Sequence, residues 1–413
     1  MQNEIEHSYQ KPRTCKEKSD LVMKDEKSVH ETLLPYGHQS IDEEDIRAVV
    51  NVLRSDWITT GPIVAKFEEA FAEYVGSKYA VSFSSGTAAL HGAAFASGLK
   101  PGDEAITTPM TFCATSNCIL YQGAVPVFAD ISPDNLNIDP DAVSTHITQK
   151  TRAIIPVDYA GHPADLDRIC DLAKENNLII IEDACHALGA KYKGKPVGGI
   201  CDMTVFSFHP VKHITTGEGG MVSTDDNKLA SKLRRFRNHG IEGDARQRQK
   251  NGEWNYEMVE LGYNYRLTDF QCALGISQLH KLPDWIKRRQ KIANRYDSEF
   301  NNDPIIKPLR TRPYVSHAYH LYVVKLDFDL LSADRREVYN ALRAKGIGVN
   351  VHYIPVHFHP FYRNRFGTKP GLCPNAELAY EQIISLPIFP SMNSNDINNV
   401  IDAMKKVTEA YAL

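Results

Sequence analysis

Phe206-Ser207-Phe208-His209-Pro210-Val211-Lys212-His213-Ile214-Thr215-Thr216-Gly217-Glu218-Gly219-Gly220 decides how the rest of the chain is read. An apolar run ending at Phe208 has the pattern of a buried strand. Lys212 follows at once, and a turn rich in Thr and Gly closes the segment. Most lysines are solvated surface charges. One tethered between a strand end and a tight turn is placed to meet a ligand in a crevice, and two upstream stretches favour that reading. Ile179-Ile180-Ile181-Glu182-Asp183-Ala184-Cys185-His186-Ala187 is a second buried-strand pattern, and it ends in a carboxylate. Ser84-Ser85-Gly86-Thr87-Ala88-Ala89-Leu90 is a small-residue turn opening a helix.

Outward from these stretches, residues from about 63 to 280 alternate helical and strand patterns. That alternation predicts an α/β domain on a mainly parallel sheet. Strands are expected over 79–83, 104–108, 125–130, 153–157, 178–181, 203–208 and 220–223, and a helix over 165–176. Functional groups fall just past the carboxyl ends of several strands, where open α/β sheets bind ligands. Ahead of this region the fold begins at Leu34-Pro35-Tyr36. Ser40 and Glu43 fit a capping box, with Ile41, Ile46, Val49, Val50 and Leu53 as an apolar helix face. Trp57-Ile58-Thr59-Thr60-Gly61-Pro62 breaks that helix and reads either as a connection or as a substrate wall. Residues 241–257 read as a mobile polar loop. Thr268 caps an apolar helix through Leu279, and a separate charged helix over about 283–300 bridges two domains. The remainder reads as a smaller α+β unit. Its strand is Leu321–Leu326, its helix Asp334–Ala344, its turn and strand Gly346–Tyr353, and its closing helix Asp396–Tyr411. The expected division is a disordered polar tail over 1–33, a large domain over 34–280 and a small domain over 281–413.

A chain of 413 residues is long enough for two such domains. Its net charge of −4 offers no attraction to nucleic acid or another polyanion. The eight cysteines form no CxxC pair and no tight His/Cys metal cluster, which points to reduced thiols in a cytoplasmic protein and to no bound metal. No apolar run approaches the roughly 20 residues of a membrane span. The first residues lack the apolar core of a signal peptide.

The candidate site has the parts that pyridoxal 5′-phosphate (PLP) requires. A phosphate needs donors and a positive field, and a helix N-terminus supplies both. Gly86 permits close approach there, Thr87 adds a hydroxyl, and Ser207 lies near enough in sequence to add another. Asp183 would pair with the protonated pyridine nitrogen and keep the ring able to accept electrons. His186 could hydrogen-bond the phenolic oxygen, and Phe112 could stack on the ring. Lys212 would form the imine with the aldehyde, its pKa lowered by burial beside a cation. Each residue also has an ordinary reading. The turn could be a Ser-capped helix, Asp183 a helix cap, His186 a satisfied polar residue and Phe112 core.

Taken together, these motifs and Gly262-Tyr263-Asn264-Tyr265-Arg266 resemble the nucleotide-sugar aminotransferases of PLP fold type I. The likeness runs from about Pro35 to the C-terminus. It implies a large domain with a mainly parallel seven-stranded sheet and a smaller C-terminal α+β domain. It also implies that Lys212 and Asp183 are catalytic, that Gly86, Thr87 and Ser207 hold the phosphate, and that Asn264 reaches the phosphate from the other subunit of a homodimer with shared active sites. Tyr36, the loop Asp56-Trp57-Ile58-Thr59 and the stretch Asn350-Val351-His352-Tyr353 match substrate-contacting segments. Within the family the chain looks most like the branch that transfers an amino group from L-glutamate to C4 of a UDP-linked 4-keto-6-deoxy-N-acetylhexosamine in pseudaminic acid biosynthesis. Tyr36-Gly37-His38-Gln39-Ser40-Ile41-Asp42 and Gly348-Val349-Asn350-Val351-His352-Tyr353 are among the residues that carry this likeness. The loop after Trp57 also resembles aminoarabinose-forming relatives, and perosamine-type aminotransferases are a further alternative. His213 departs from the Pro or Asn common after the lysine in relatives. A PLP sugar dehydratase of this fold would carry His in place of Lys212. A sensor that binds cofactor or sugar nucleotide without turnover stays open. A plain dinucleotide-binding domain lacks its GxGxxG here.

Overall fold

A computed structural model describes residues 33–243, 248 and 250–413. The expected tail, up to residue 32, lies outside the described residues, as do residues 244–247 and 249 of the expected mobile loop. The first helix is α1 (Glu43–Leu53), followed by α2 (Pro62–Val75). The α/β region then runs β1 (Tyr79–Phe83), α3 (Gly86–Ala96), β2 (Glu104–Thr107), α4 (Ala114–Tyr121), β3 (Val125–Phe128), α5 (Pro140–His146), β4 (Thr151–Ile155), α6 (Leu166–Asn176) and β5 (Ile179–Asp183). A small hairpin of β6 (Lys191–Tyr192) and β7 (Lys195–Pro196) precedes β8 (Met203–Ser207), β9 (Gly220–Thr224) and α7 (Asn227–Phe236). The central sheet has seven strands in the order β1-β9-β8-β5-β4-β2-β3. It is parallel from β3 to β8, and β9 runs antiparallel to both its neighbours.

Helices cover both faces of the sheet, so its strands are apolar on both sides. One face packs Val81, Phe83, Ile155, Ile181 and Val205 under α3, α4 and α7. On the other, Phe206 and Phe208 meet Phe67 and Phe71 of α2 and Leu279, Leu282 and Ile286 of the long helix α8 (Asp269–Phe300). The smaller unit follows. It holds β10 (Ile306–Pro308), β11 (Val315–Ser316), β12 (Tyr322–Leu326), α9 (Arg335–Ala344), α10 (Pro360–Phe366), α11 (Pro374–Gln382), β13 (Ile383–Leu386) and α12 (Ser394–Tyr411). Its sheet is β10-β12-β13, and its core is built with Ile292, Tyr296 and Phe300 from the far end of α8.

Three expectations about elements are corrected. The first concerns α1, which is capped by Asp42 rather than Ser40. The Asp42 side chain accepts from Glu44 and Asp45 N–H, and Asp45 accepts in return from Asp42 N–H at 3.2 Å. The apolar face expected here is not the buried one, because Ile46 and Leu53 are exposed. Instead buried Asp45 docks α1 on α8, accepting from Ser277 Oγ at 2.6 Å, Gln278 Nε2 at 2.8 Å and Lys281 Nζ at 2.9 Å.

The second correction is that the two helices expected on either side of residue 281 are one, 32 residues long, with Pro283 inside it. An interior proline costs about 3 kcal/mol, and burial of one large apolar side chain contributes about 1.5–3 kcal/mol. Leu282, Ile286, Ile292, Tyr296 and Phe300 are all buried along this helix, so packing outweighs the break. The third is that Gly346–Tyr353 is not a strand. It makes two isolated bridges, Ile347 with Leu34 and Asn350 with Ser385, and no continuous ladder.

Candidate active site

The loops after β1, β2, β5 and β8 converge on one cavity of about 530 Å³, closed by residues of the smaller unit. Three local structures prepare it. Ser85 caps α3, its hydroxyl accepting from Ala88 N–H at 3.1 Å. The N–H groups of Gly86 and Thr87 stand ahead of any intrahelical acceptor, so the first turn keeps free donors. At Gly86 a side chain is excluded by contact, since a Cβ there would lie 2.9 Å from Ser207 Cβ. Opposite, β5 ends in Asp183, which is buried and held by Thr115 Oγ1 at 2.7 Å and by Cys185 N–H at 3.1 Å. Thr111 Oγ1 lies 2.7 Å from Thr115 Oγ1. With the Thr115 proton directed to Asp183, Thr111 is the donor to Thr115.

Lys212 lies in the turn after β8, with its N–H donating to His209 O at 2.9 Å. His213 Nε2, 3.1 Å from Ala318 O, stitches this turn to the stretch before β12. Lys212 is half-buried, and it lines the cavity. Burial pulls its pKa below the ordinary lysine value, against the charges of Cys185 and Asp183, which favour the ammonium form. His186 sits with its Nε2 3.0 Å from the Tyr353 hydroxyl. Burial, reinforced by Lys212, holds its imidazole neutral. His352 Nδ1 lies 2.8 Å from Ser385 Oγ, and its Nε2 lies 3.3 Å from Asn350 Nδ2. Burial takes its pKa down to about 3. Tyr159 OH donates to the His352 carbonyl, fixing this stretch against the residues after β4.

Of the residues expected from sequence, Tyr36, Gly86, Thr87, Phe112, Asp183, His186, Ser207, Lys212, Asn350, Val351, His352 and Tyr353 all line this cavity. Asp56, Trp57, Ile58 and Thr59 do not. They are exposed, and the loop is tied to the start of α8 through Asp269 N–H to Ile58 O at 3.0 Å. Asn264 is also exposed and away from the cavity, pairing with Asn238. Thr115, Glu218 and His320 line the cavity or its Asp183 wall without having been expected. Thr115 lies three residues after Phe112, inside a stretch already suspected. His320 had no local signal.

The donor set fits PLP. The free donors at the start of α3 and the Ser207 hydroxyl line one side of the cavity, where Gly86 presents no side chain, and would suit a phosphate. Asp183, anchored at both oxygens, offers a carboxylate to a ring nitrogen. Lys212 supplies an amine with a depressed pKa. Among the described residues no group of three or more His, Cys, Asp or Glu could hold a metal ion. No helix among them is long and apolar enough to cross a membrane.

Residues 39–405 match the model of the DegT/DnrJ/EryC1/StrS aminotransferase family. The chain is 48% identical over 381 residues to the uncharacterized protein MJ1066 of Methanocaldococcus jannaschii, covering 92% of this chain and 98% of that one. It is 43% identical to the spore coat polysaccharide biosynthesis protein SpsC of Bacillus subtilis, covering 91% and 97%. Among solved structures it is similar to Helicobacter pylori PseC, an aminotransferase involved in the biosynthesis of pseudaminic acid. That likeness has a TM-score of 0.86 and 35% identity, over 92% of this chain and 100% of that one. The sugar aminotransferase Spr1654 of Streptococcus pneumoniae in its PMP form gives a TM-score of 0.86 at 34% identity, over 91% and 99%.

Proposed function

Because the chain belongs to the DegT/DnrJ/EryC1/StrS aminotransferase family, whose members are PLP-dependent sugar aminotransferases, we propose that it transfers an amino group from L-glutamate to C4 of a UDP-linked 4-keto-6-deoxy-N-acetylhexosamine, a step of pseudaminic acid synthesis. The observation that carries the reading is the convergence of Lys212, Asp183, Ser207 and the start of α3 on one cavity that the stretch Asn350–Tyr353 closes. PLP, when bound, supplies an aldehyde that takes up the amino group and a ring that accepts the electrons of a breaking C–H bond. Lys212 Nζ removes the proton from the α-carbon of glutamate and later delivers one to C4 of the sugar. Burial lowers its pKa and so favours the neutral amine that this step needs. Asp183 would hold the ring nitrogen protonated, and the α3 donors with Ser207 would anchor the phosphate. Tyr36, Phe112, His352 and Tyr353, which line the cavity, would form its sugar side.

The working unit of this proposal is a homodimer. Trp254, Met258 and Leu261 are exposed to 88%, 65% and 71%, an apolar stretch that runs up to Asn264. Such a patch is covered in a functioning protein, and a second copy covering it would bring Asn264 of the partner subunit to the phosphate. The loop Asp56–Thr59 of that copy would complete the sugar pocket in the same way.

SpsC, a relative more identical to this chain than PseC is, favours a second reading, an aminotransferase acting on another nucleotide sugar. One experiment tests both. The protein is incubated with glutamate and UDP-, GDP- and dTDP-linked 4-keto sugars, and aminated product is followed by mass spectrometry. Amination of the UDP-linked N-acetylhexosamine, lost in Lys212→Ala, is the expected result. Product from a GDP- or dTDP-linked sugar alone selects the second reading, and wild-type turnover by Lys212→Ala overturns both.

A further inference from the structure

The cavity contains a group that the proposed chemistry has not used. His320 is buried, lines the cavity and places its Nε2 3.3 Å from Lys212 Nζ. The ring stands 4.3 Å from that of His186 and 5.7 Å from that of His213, centroid to centroid. His320 Nδ1 is buried and has no hydrogen-bond partner. The contact with Lys212 is therefore its polar engagement within the protein. An ammonium group brings three donors and no acceptor. Towards the ammonium form the imidazole can only accept at Nε2, which leaves its own proton at Nδ1.

We propose that His320 is a positioning residue for Lys212, a neutral acceptor that fixes one N–H of the amine so that its lone pair faces the reacting carbon. The inference deepens the aminotransferase reading above and rests on it for the identity of the reacting carbon. It does not rest on it for the contact itself. A free amine on a flexible stem samples many rotamers, and only a few aim the lone pair into the cavity. Holding one N–H at Nε2 removes that freedom, which is the orienting contribution enzymes draw from fixed groups. His320 is not a base in this scheme. Burial disfavours its charged form, and the adjacent Lys212 and His186 disfavour it further. No proton passes between the two groups. The ring only accepts, and the proton stays on Lys212 Nζ.

The architecture supports a positioning role. His320 and Lys212 lie on separate segments, and the links between those segments are specific. His213, next to the lysine, lies with its Nε2 3.1 Å from Ala318 O, two residues before His320. Ala318 N–H donates to Gly161 O at 2.9 Å. Arg289 of α8 donates to Tyr319 O at 3.1 Å. The acceptor is thus fixed from the lysine turn, from the residues after β4 and from α8.

The test reads the amine itself, without turnover. The groups facing Lys212 are Asp183 at the end of β5, Cys185 and His186 after it, His213 beside the lysine, His320, and His352 of the closing stretch, with Arg289 behind His320 and His213. In the cofactor-free protein, the rate at which a small acylating reagent modifies Lys212 is followed against pH by peptide mass. His320→Leu removes the acceptor, whereas His320→Gln retains an amide oxygen that can accept. Loss of an acceptor disfavours the ammonium form. The midpoint for His320→Leu is therefore expected to fall by about half a unit or more, with His320→Gln staying close to the parent. In the holoenzyme, the single-turnover rate with glutamate should fall about tenfold or more in His320→Leu and recover in His320→Gln, with KM little changed. Should His320→Leu fail to fold, His320→Asn, whose amide stops short of Lys212, replaces it. An unchanged midpoint in the variant lacking the acceptor, or a Gln variant no better than it, overturns the proposal. Absence of glutamate turnover in the parent, with the midpoint shift present, faults the aminotransferase reading and leaves the contact standing.

Discussion

Replacing Gly86 with Ala puts a methyl group where the structure has no room for one. The new Cβ would lie 2.9 Å from Ser207 Cβ and 3.1 Å from Ser207 Oγ, with Cys185 Sγ at 3.5 Å. Gly86 is the first residue of α3 and has an ordinary helical backbone, so alanine suits the chain itself. The whole penalty falls on the contact between the start of α3 and the end of β8. Forcing a methyl group into a packed contact costs about 1–3 kcal/mol. The contact relaxes only by carrying Ser207 away from the first-turn N–H groups, and these are the donors assigned to the phosphate. At about 1.4 kcal/mol per tenfold, the affinity for PLP should fall about 5- to 150-fold. The assay is a titration of the cofactor-free protein with PLP and, separately, with pyridoxal, which lacks the phosphate. Gly86→Ala should weaken PLP and leave pyridoxal close to the parent value. A variant that binds PLP as tightly as the parent, or loses both ligands equally, would refute the placement of the phosphate at this cradle.

Two further outcomes test other parts of the molecule. Burial pushes the Glu182 carboxyl from 4.5 up to about 7, beside Asp158, which burial also raises. The folded protein therefore binds this proton more tightly than the unfolded chain. Its stabilising contribution is full below about pH 4.5 and is lost as the pH rises towards 7. Glu182→Gln has no proton to lose, so its melting temperature should fall less than the parent's across that window; parallel curves would refute the raised Glu182 carboxyl. For the dimer, Leu261→Asp places a charge on the exposed apolar stretch. It should shift the sedimenting species to half the parent mass and weaken PLP, and an unchanged species would remove this stretch from the interface.

The parts of the site legible in sequence are those that sit at strand ends. Gly86, Asp183, Ser207 and Lys212 each follow an apolar run closely, so periodicity located them before any contact was known. The helices were legible in type but not in which side they bury. Ile46 and Leu53 look like a core face, yet Asp45 makes the buried contact, to partners 232 and more positions away. Propensity places a break at Pro283, and only the packing on both sides of it shows why the helix continues. His320 was illegible for the same reason, since its partner lies 108 residues off and nothing near it in sequence marks the contact. The loop Asp56–Thr59 and Asn264 lie outside the cavity of their own chain. Family resemblance singled them out, and only the proposed homodimer would bring them to a cavity, that of the partner subunit.

Helix α8 has a mechanical consequence. Leu279 and Leu282 anchor it in one core, and Ile292, Tyr296 and Phe300 anchor it in the other. Between them Arg289 grips the Tyr319 and Ile388 carbonyls. A strut embedded at both ends resists a swing of one half of the molecule against the other. Ligand entry then calls for no hinge between the two halves, only for passage past Phe112, which stands exposed at the rim of the cavity.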